Sequence, residues 1–271
     1  MEIKYYKINP TGNITLIVET PVSRESQAAV AAKLMASDKE AEQVGFIETS
    51  ANPDCAFRLQ MMGGEFCGNA SIAVAALHMS KQCLSPSETA TVTIEVSGAD
   101  KPLDVSVKYI SENRFTGSVS MPLPESCFDC DLVHEGESYT LPVVRMPGIC
   151  HAIVTGGMGI TLAESAIAEW CRQLDTEALG LMFYNAREGL LRPLVYVGFT
   201  GSCVWESSCA SGSCAVAAYE SSKRGESCVL SLRQPGGTLN VKSFCTRGAL
   251  FGITLTGSAE IRGEYSAVID T

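Results

Sequence analysis

Two cysteines, each at the head of a similar stretch, are the residues of this chain best placed to do chemistry. Glu65-Phe66-Cys67-Gly68-Asn69-Ala70 leads into Ser71-Ile72-Ala73-Val74-Ala75-Ala76, and Glu206-Ser207-Ser208-Cys209-Ala210-Ser211-Gly212 leads into Ser213-Cys214-Ala215-Val216-Ala217-Ala218. Each reads as a cysteine, a short turn of small polar residues and an Ala/Val-rich helix, and about half the chain separates them, the mark of an internal duplication. A thiol at a helix N-terminus lies among backbone N–H groups and at the positive end of the helix dipole. That position favours a thiolate and also attracts carboxylates. Two such ends facing one another would clamp a carboxylate between two acid/base groups, at least one with a lowered pKa near neutrality.

The elements that must position these thiols read as strand-rich. Ile3–Ile8 and Ile14–Glu19 form a hairpin about the Asn9-Pro10-Thr11-Gly12-Asn13 turn, and Ser23 is placed to cap a helix over Glu25–Ala36. Strands at Val44–Glu48 and Phe57–Met61 deliver the chain to Cys67 and a first helix from Gly68 to Met79. Thr91–Val96, Leu103–Ile110 and Phe115–Met121 alternate as strands, and Met121-Pro122-Leu123-Pro124 breaks the pattern where a domain crossing is expected.

The second half begins with strands at Val143–Met146 and His151–Thr155 and a helix over Leu162–Gln173. Strands near Leu181–Tyr184, Leu194–Val197 and Val204–Glu206 then reach Cys209 and a second helix over Ser213–Lys223. Val229–Arg233, Leu239–Phe244, Ala249–Leu255 and Glu260–Val268 follow as separate strands. Both cysteine-headed helices are apolar on most faces, as core helices are. The expected class is α+β: two pseudo-symmetric domains, each a mostly antiparallel sheet around a central helix.

Composition narrows the ligand. The 271 residues carry a formal net charge of −10 and are 46% hydrophobic, which argues against nucleic acid and anionic membrane surfaces as partners. No basic and apolar leader opens the chain and no run approaches a membrane span, so cytoplasm is the expected compartment. The twelve cysteines are then reduced thiols, most of them small buried hydrophobes. There is no Cys-x-x-Cys pair and His78, His134 and His151 are scattered singly, so no metal is expected.

Cys67-Gly68-Asn69, Cys209-x-Ser211-Gly212, Asn13 after a glycine, Pro147-Gly148-Ile149-Cys150-His151 and Gln234-Pro235-Gly236-Gly237 resemble, in order along nearly the whole chain, the diaminopimelate epimerases. The resemblance implies their two-domain fold, with 1–121 plus about 256–271 in an N-terminal domain and 122–255 in a C-terminal one. The epimerases carry an arginine before the second cysteine for the distal carboxylate of their substrate. Trp205-Glu206-Ser207-Ser208 has none, and a carboxylate left unpaired there is costly.

Asn9-Pro10-Thr11-Gly12-Asn13, Glu42-Gln43-Val44-Gly45-Phe46-Ile47-Glu48, Glu65-Phe66-Cys67-Gly68-Asn69-Ala70 and Trp205-Glu206-Ser207-Ser208-Cys209-Ala210-Ser211-Gly212 are more similar to the histidine racemases of staphylopine-type opine metallophore synthesis. This resemblance implies a cofactor-independent amino-acid racemase with L-histidine as leading substrate. Racemisation removes a proton from one face of Cα and returns one to the other, so two acid/base groups are needed. Cys67 and Cys209 are the catalytic pair. Gly68, Asn69, Ala210 and Ser211 would hold the α-carboxylate through backbone N–H groups, as an oxyanion hole does. By resemblance Asn13, Gln43 and Glu206 reach the rest of the substrate, Glu206 pairing the α-ammonium, and the domains close to exclude water. Homodimers are common in the superfamily.

Other readings stand beside these. Cys214, inside its helix, reads as core packing, Glu65 as a solvated charge, His151 as a satisfied structural histidine and not a base, and Gly236 and Gly237 as turn glycines. An Asx turn would equally account for Asn13. At the level of function the alternatives are a racemase or epimerase of another amino acid, diaminopimelate-like substrates included, and a non-catalytic redox sensor built on a Cys67–Cys209 disulfide.

Overall fold

The structure is a computed structural model and describes residues 1–82, 85 and 87–269. It is mixed α+β, mostly sheet, and divides into two compact units: Met1–Ser120 with Thr256–Thr271, and Met121–Leu255. Asp270 and Thr271 at the end of the expected N-terminal domain lie outside the described residues.

In the first unit β1 (Glu2–Asn9) and β2 (Thr15–Val18) form the expected hairpin, followed by α1 (Arg24–Ser37), β3 (Gln43–Glu48), β4 (Arg58–Met61) and α2 (Gly68–Ser80). Then come β5 (Thr89–Val96), β6 (Leu103–Ser111), β7 (Arg114–Ser120) and the far end of β16 (Ala249–Val268), which pairs back onto β1. Hydrogen bonding runs β1-β2-β3-β4-β5-β6-β7-β16 and, through β1–β16, returns to its start. Most pairs are antiparallel; β2–β3 and β4–β5 are parallel.

Helix α2 is what this sheet encloses. Every residue from Gly68 to Leu77 is buried, and the helix packs on β2, β5, β6 and β7. Alanines let the strands come close. Where β7 crosses the helix, Gly117 leaves room for Ile72; a Cβ there would lie 2.4 Å from Ile72 Cγ2. Fully buried Ile72, Val74 and Leu77 each stabilise the unit by roughly 1.5–3 kcal/mol through removal of apolar surface from water. Helix α1 lies outside, its Val30, Ala31 and Leu34 packed with Ile3, Leu16, Val18 and Phe46.

The second unit holds β8 (Ser126–His134), β9 (Glu137–Met146), β10 (Ile149–Val154), α3 (Ile160–Gln173), β11 (Ala178–Asn185), β12 (Leu190–Val197), β13 (Ser202–Trp205), α4 (Ala210–Arg224), β14 (Glu226–Gln234) and β15 (Gly237–Thr246). Its strand order is β16-β15-β14-β12-β11-β10-β9-β8, with β13 on β12, parallel only at β10–β11 and β12–β14 among the described pairs. Helix α4 packs on β15, β14, β9 and β11, with Ala215, Val216 and Ala217 fully buried. Helix α3 covers β8, β11 and β12 through a cluster centred on Trp170.

Four sequence expectations are corrected. Strand β8 and the first half of β9 were not anticipated, because only Leu132 in β8 is buried and the segment lacks an apolar alternation. Ala249–Leu255 and Glu260–Val268 are one continuous strand of 20 residues, the polar stretch between them remaining in the ladder. Helix α4 begins at Ala210 and not at Ser213, since the Ser/Gly turn is already its first turn. Ser23 occupies the N-cap position of α1, but its hydroxyl bonds the Ser26 hydroxyl at 3.0 Å and caps no N–H.

Candidate active site

Each unit carries one of the two cysteines, at the start of its enclosed helix. Cys67 is the N-cap of α2, with extended backbone (φ −133°, ψ 111°) and Sγ accepting the Ala70 N–H at 3.4 Å. Cys209 is the N-cap of α4 (φ −120°, ψ 112°), and its Sγ accepts the Gly212 N–H at 3.4 Å. Helix caps are ordinarily Ser, Thr, Asp or Asn, whose oxygens accept better than sulfur does. A thiol in this position caps the helix more weakly than an oxygen would. In both units the following N–H closes the cap: Ser71 N to Cys67 O and Ser213 N to Cys209 O, each 3.0 Å.

The approach to Cys67 is pinned from the β5–β6 turn. Ser97 Oγ donates to Glu65 O at 2.8 Å and accepts the Met61 N–H at 2.9 Å. Gly98, at φ +71°, lies so close that a Cβ would sit 2.4 Å from Phe66 N. Behind the sulfur runs a chain of polar side chains. Cys67 Sγ donates to Gln43 Oε1 at 3.2 Å, Gln43 Nε2 donates to Asn13 Oδ1 at 2.5 Å and to Thr15 Oγ1 at 2.7 Å, and Asn13 Nδ2 donates to Glu42 Oε2 at 2.5 Å. The Thr15 hydroxyl in turn donates to Asn13 O at 2.9 Å. Asn13 and Gln43 are only 7% and 9% exposed, so these bonds are their main environment.

Cys209 is held differently. Its backbone N–H donates to Gln234 Oε1 at 2.8 Å, while Gln234 Nε2 donates to Ser213 Oγ at 2.9 Å. Its Sγ lies 3.6 Å from Ser211 Oγ, which lies 3.0 Å from His151 Nε2. His151 is fully buried on β10 against Gly180, where a Cβ would come within 2.4 Å of Nδ1. Among the described residues its Nδ1 has no hydrogen-bond partner, so the expectation of a satisfied structural histidine is corrected. Burial holds the imidazole neutral, its pKa pushed down to about 3. An orphaned ring nitrogen costs less as a lone pair than as a buried N–H, which places the proton on Nε2, facing Ser211.

The thiols are not lowered in pKa, contrary to expectation. Burial pushes Cys67 up to about 11, opposed by the Ala70 N–H, the Gln43 side chain and the Asn69 N–H, while the Glu65 carboxylate adds to the rise. Burial likewise raises Cys209 well above the ordinary thiol range, reinforced by the Glu206 carboxylate and opposed by Ser211 and Gly212. Desolvation of a sulfur anion outweighs one or two N–H bonds and a helix end. Glu65 keeps an exposed surface, but desolvation of its carboxyl raises its pKa, so it is not the fully solvated charge expected, and it acts on Cys67 through space. Cys214 is fully buried in α4, its thiol pushed up by burial alone.

Of the residues singled out from the sequence, the structure brings Asn13, Gln43, Gly68 and Asn69 to Cys67, and Glu206, Ala210 and Ser211 to Cys209. Gly68, Asn69 and Ala210 are buried in the first turns of their helices. Thr15, Gln234 and the link from His151 to Ser211 were missed. Gln234 heads the Gln-Pro-Gly-Gly stretch, whose glycines drew attention away from the side chain before them.

Comparison with known proteins now bears on this geometry. The family described as histidine racemase CntK N-terminal domain matches residues 2–267. The chain belongs to this family. A histidine racemase of Fusobacterium nucleatum subsp. nucleatum is 35% identical over 224 residues, covering 80% of both chains, and one from Staphylococcus aureus (strain Mu50) is 28% identical over 250 residues, covering 89% of this chain and 88% of that one. A crystal structure of a probable proline racemase from Agrobacterium radiobacter K84 shares the fold with a TM-score of 0.68 at 16% identity, over 99% of this chain and 93% of that chain. This member of the histidine racemase family is an isomerase of the amino-acid racemase and epimerase class. Among the described residues no helix is long and apolar enough to cross a membrane.

Proposed function

We propose that the protein interconverts L- and D-histidine without a cofactor, Cys67 and Cys209 working as two bases on opposite faces of Cα, and that its D-histidine feeds opine-type metallophore synthesis. The observation that carries this reading is the pair of cysteines standing as N-caps of two enclosed helices, one in each compact unit. Family membership supports histidine as the substrate.

In this mechanism one thiolate takes the α-proton and becomes a thiol. The carbanion's charge passes into the α-carboxylate, where first-turn N–H groups of Gly68, Asn69, Ala210 and Ser211 stabilise it. The opposite thiol then gives its proton to the other face of Cα and is left as the thiolate. Because burial keeps both thiols protonated, the first thiolate forms by loss of one thiol proton to solvent water as substrate enters, and the substrate must favour that loss. Its ammonium, paired with Glu206, offsets the carboxylate that disfavours an anion at Cys209.

The test is a screen of all L-amino acids with purified protein in D2O and no added pyridoxal phosphate, following loss of the α-proton by NMR. Exchange at Cα of histidine is the expected result. Exchange with another amino acid alone would reassign the substrate, and no exchange with any would leave the thiol redox sensor as the better account.

A further inference from the structure

The backbone of Cys209 is braced from β14 by one side chain. Gln234 ends that strand and is only 8% exposed. The Cys209 N–H can only donate, so the amide turns Oε1 to it, at 2.8 Å. On the other side Nε2 donates to Ser213 Oγ at 2.9 Å, and that hydroxyl spends its hydrogen on Cys209 O at 2.7 Å. One buried amide thereby closes a ring over both polar backbone groups of Cys209, directly on its N–H and through Ser213 on its C=O. The turn that follows adds a second hold, Gly236 N–H donating to Ser207 O at 2.8 Å. Burying a side-chain amide costs free energy unless it is hydrogen-bonded, and here both of its ends are committed to the same residue.

With N–H and C=O tied, the extended backbone of Cys209 (φ −120°, ψ 112°) is fixed, and the Cα–Cβ bond that aims Sγ is fixed with it. We propose that Gln234 is the positioning residue of Cys209, its amide holding the cysteine backbone so that Sγ meets the α-proton of a bound amino acid in line. This deepens the two-base reading and rests on it for its catalytic meaning. Gln234 acts through Cys209 and not on the reacting atoms. Misplacing a reacting group by about 1 Å costs roughly a hundred-fold in rate, and the smaller displacement expected on loss of the brace about ten-fold.

Gln234→Met keeps the length of the side chain and removes both hydrogen bonds, whereas Gln234→Glu, ionised or protonated, keeps an acceptor oxygen for the Cys209 N–H. Two measurements on the full chain read the brace: amide hydrogen exchange at Cys209 by NMR, and α-proton exchange of histidine in D2O expressed per folded molecule. In Gln234→Met the Cys209 amide should exchange about ten-fold faster or more while the interior of α4 stays protected, and kcat should fall about ten-fold with KM within about two-fold of the parent value. In Gln234→Glu the Cys209 amide should stay protected. Unchanged protection of Cys209 in the methionine variant overturns the proposal, as does an unchanged kcat. Loss of protection along the whole of α4 overturns it too, since Gln234 would then only stabilise the fold, and so does equal loss at Cys209 in both variants, since an acceptor would not be what holds the N–H. If the parent protein exchanges no amino acid the racemase reading fails by itself, and protection of the Cys209 amide still decides whether the brace exists.

Discussion

At the scale of single residues, the contest around both sulfurs is between desolvation and the helix end, and desolvation wins. Two predictions belong here. Cys67→Ser and Cys209→Ser should each abolish racemisation in the D2O assay, since a serine hydroxyl is too weak an acid to exchange the proton, whereas Cys214→Ser should retain it because that thiol is sealed inside α4. Normal turnover by either of the first two would sink the two-base assignment. The second prediction concerns acid. Native His151 has a pKa of about 3, below its unfolded value of about 6.5, so the unfolded chain binds the extra proton between these limits. Its neutral burial contributes fully above about pH 6.5, and stability falls as pH drops toward about 3, by up to about 1.4 kcal/mol per pH unit. Urea titrations at both ends of that window should show a smaller loss in His151→Phe than in the parent protein, and equal losses would refute it. Sequence alone named both cysteines, Asn13, Gln43, Glu206 and Ser211. It could not show that Asn13 and Gln43 bond one another, because residues 30 apart meet only once β2 and β3 pair in parallel.

At the scale of elements, the enclosed helices set the tolerances of the site. Gly117→Ala drives a Cβ into Ile72, whose neighbours in the first unit leave it nowhere to go. The expected cost is about 1–3 kcal/mol, seen as a lower urea midpoint with an unchanged m-value. Gly98→Ala faces two penalties, a left-handed φ and a clash with the Phe66 backbone, and this backbone leads directly into Cys67. It should lower racemisation as well as stability, and a variant with wild-type rates would show that the turn does not position the cysteine. Helices α2 and α4 were legible because apolar residues on most faces of an Ala-rich segment mark a core helix. The β8–β9 hairpin was not, since its residues are mostly exposed and their ladder is specified by pairing, not by an apolar alternation.

At the scale of the molecule, each unit is a mixed α+β body built about one helix, and β16 supplies strand to both. The closing β1–β16 pairing, from Glu2 with Val268 to Asn9 with Glu260, belongs wholly to the first unit. Ending the chain after Leu255 should therefore unfold the first unit, with loss of amide protection in β1, while leaving protection in α4; persistent protection in β1 would refute it. The sequence by itself determined where the candidate chemistry lies: thiols at two helix starts half a chain apart, with a core helix behind each. Those features are local, encoded in residue type and short-range period. Tertiary structure alone decided which side chains stand behind each sulfur, that burial raises both thiols, and that the two halves are unlike. Such properties depend on strands distant in sequence and on the exclusion of water, and neither exists until the chain has folded.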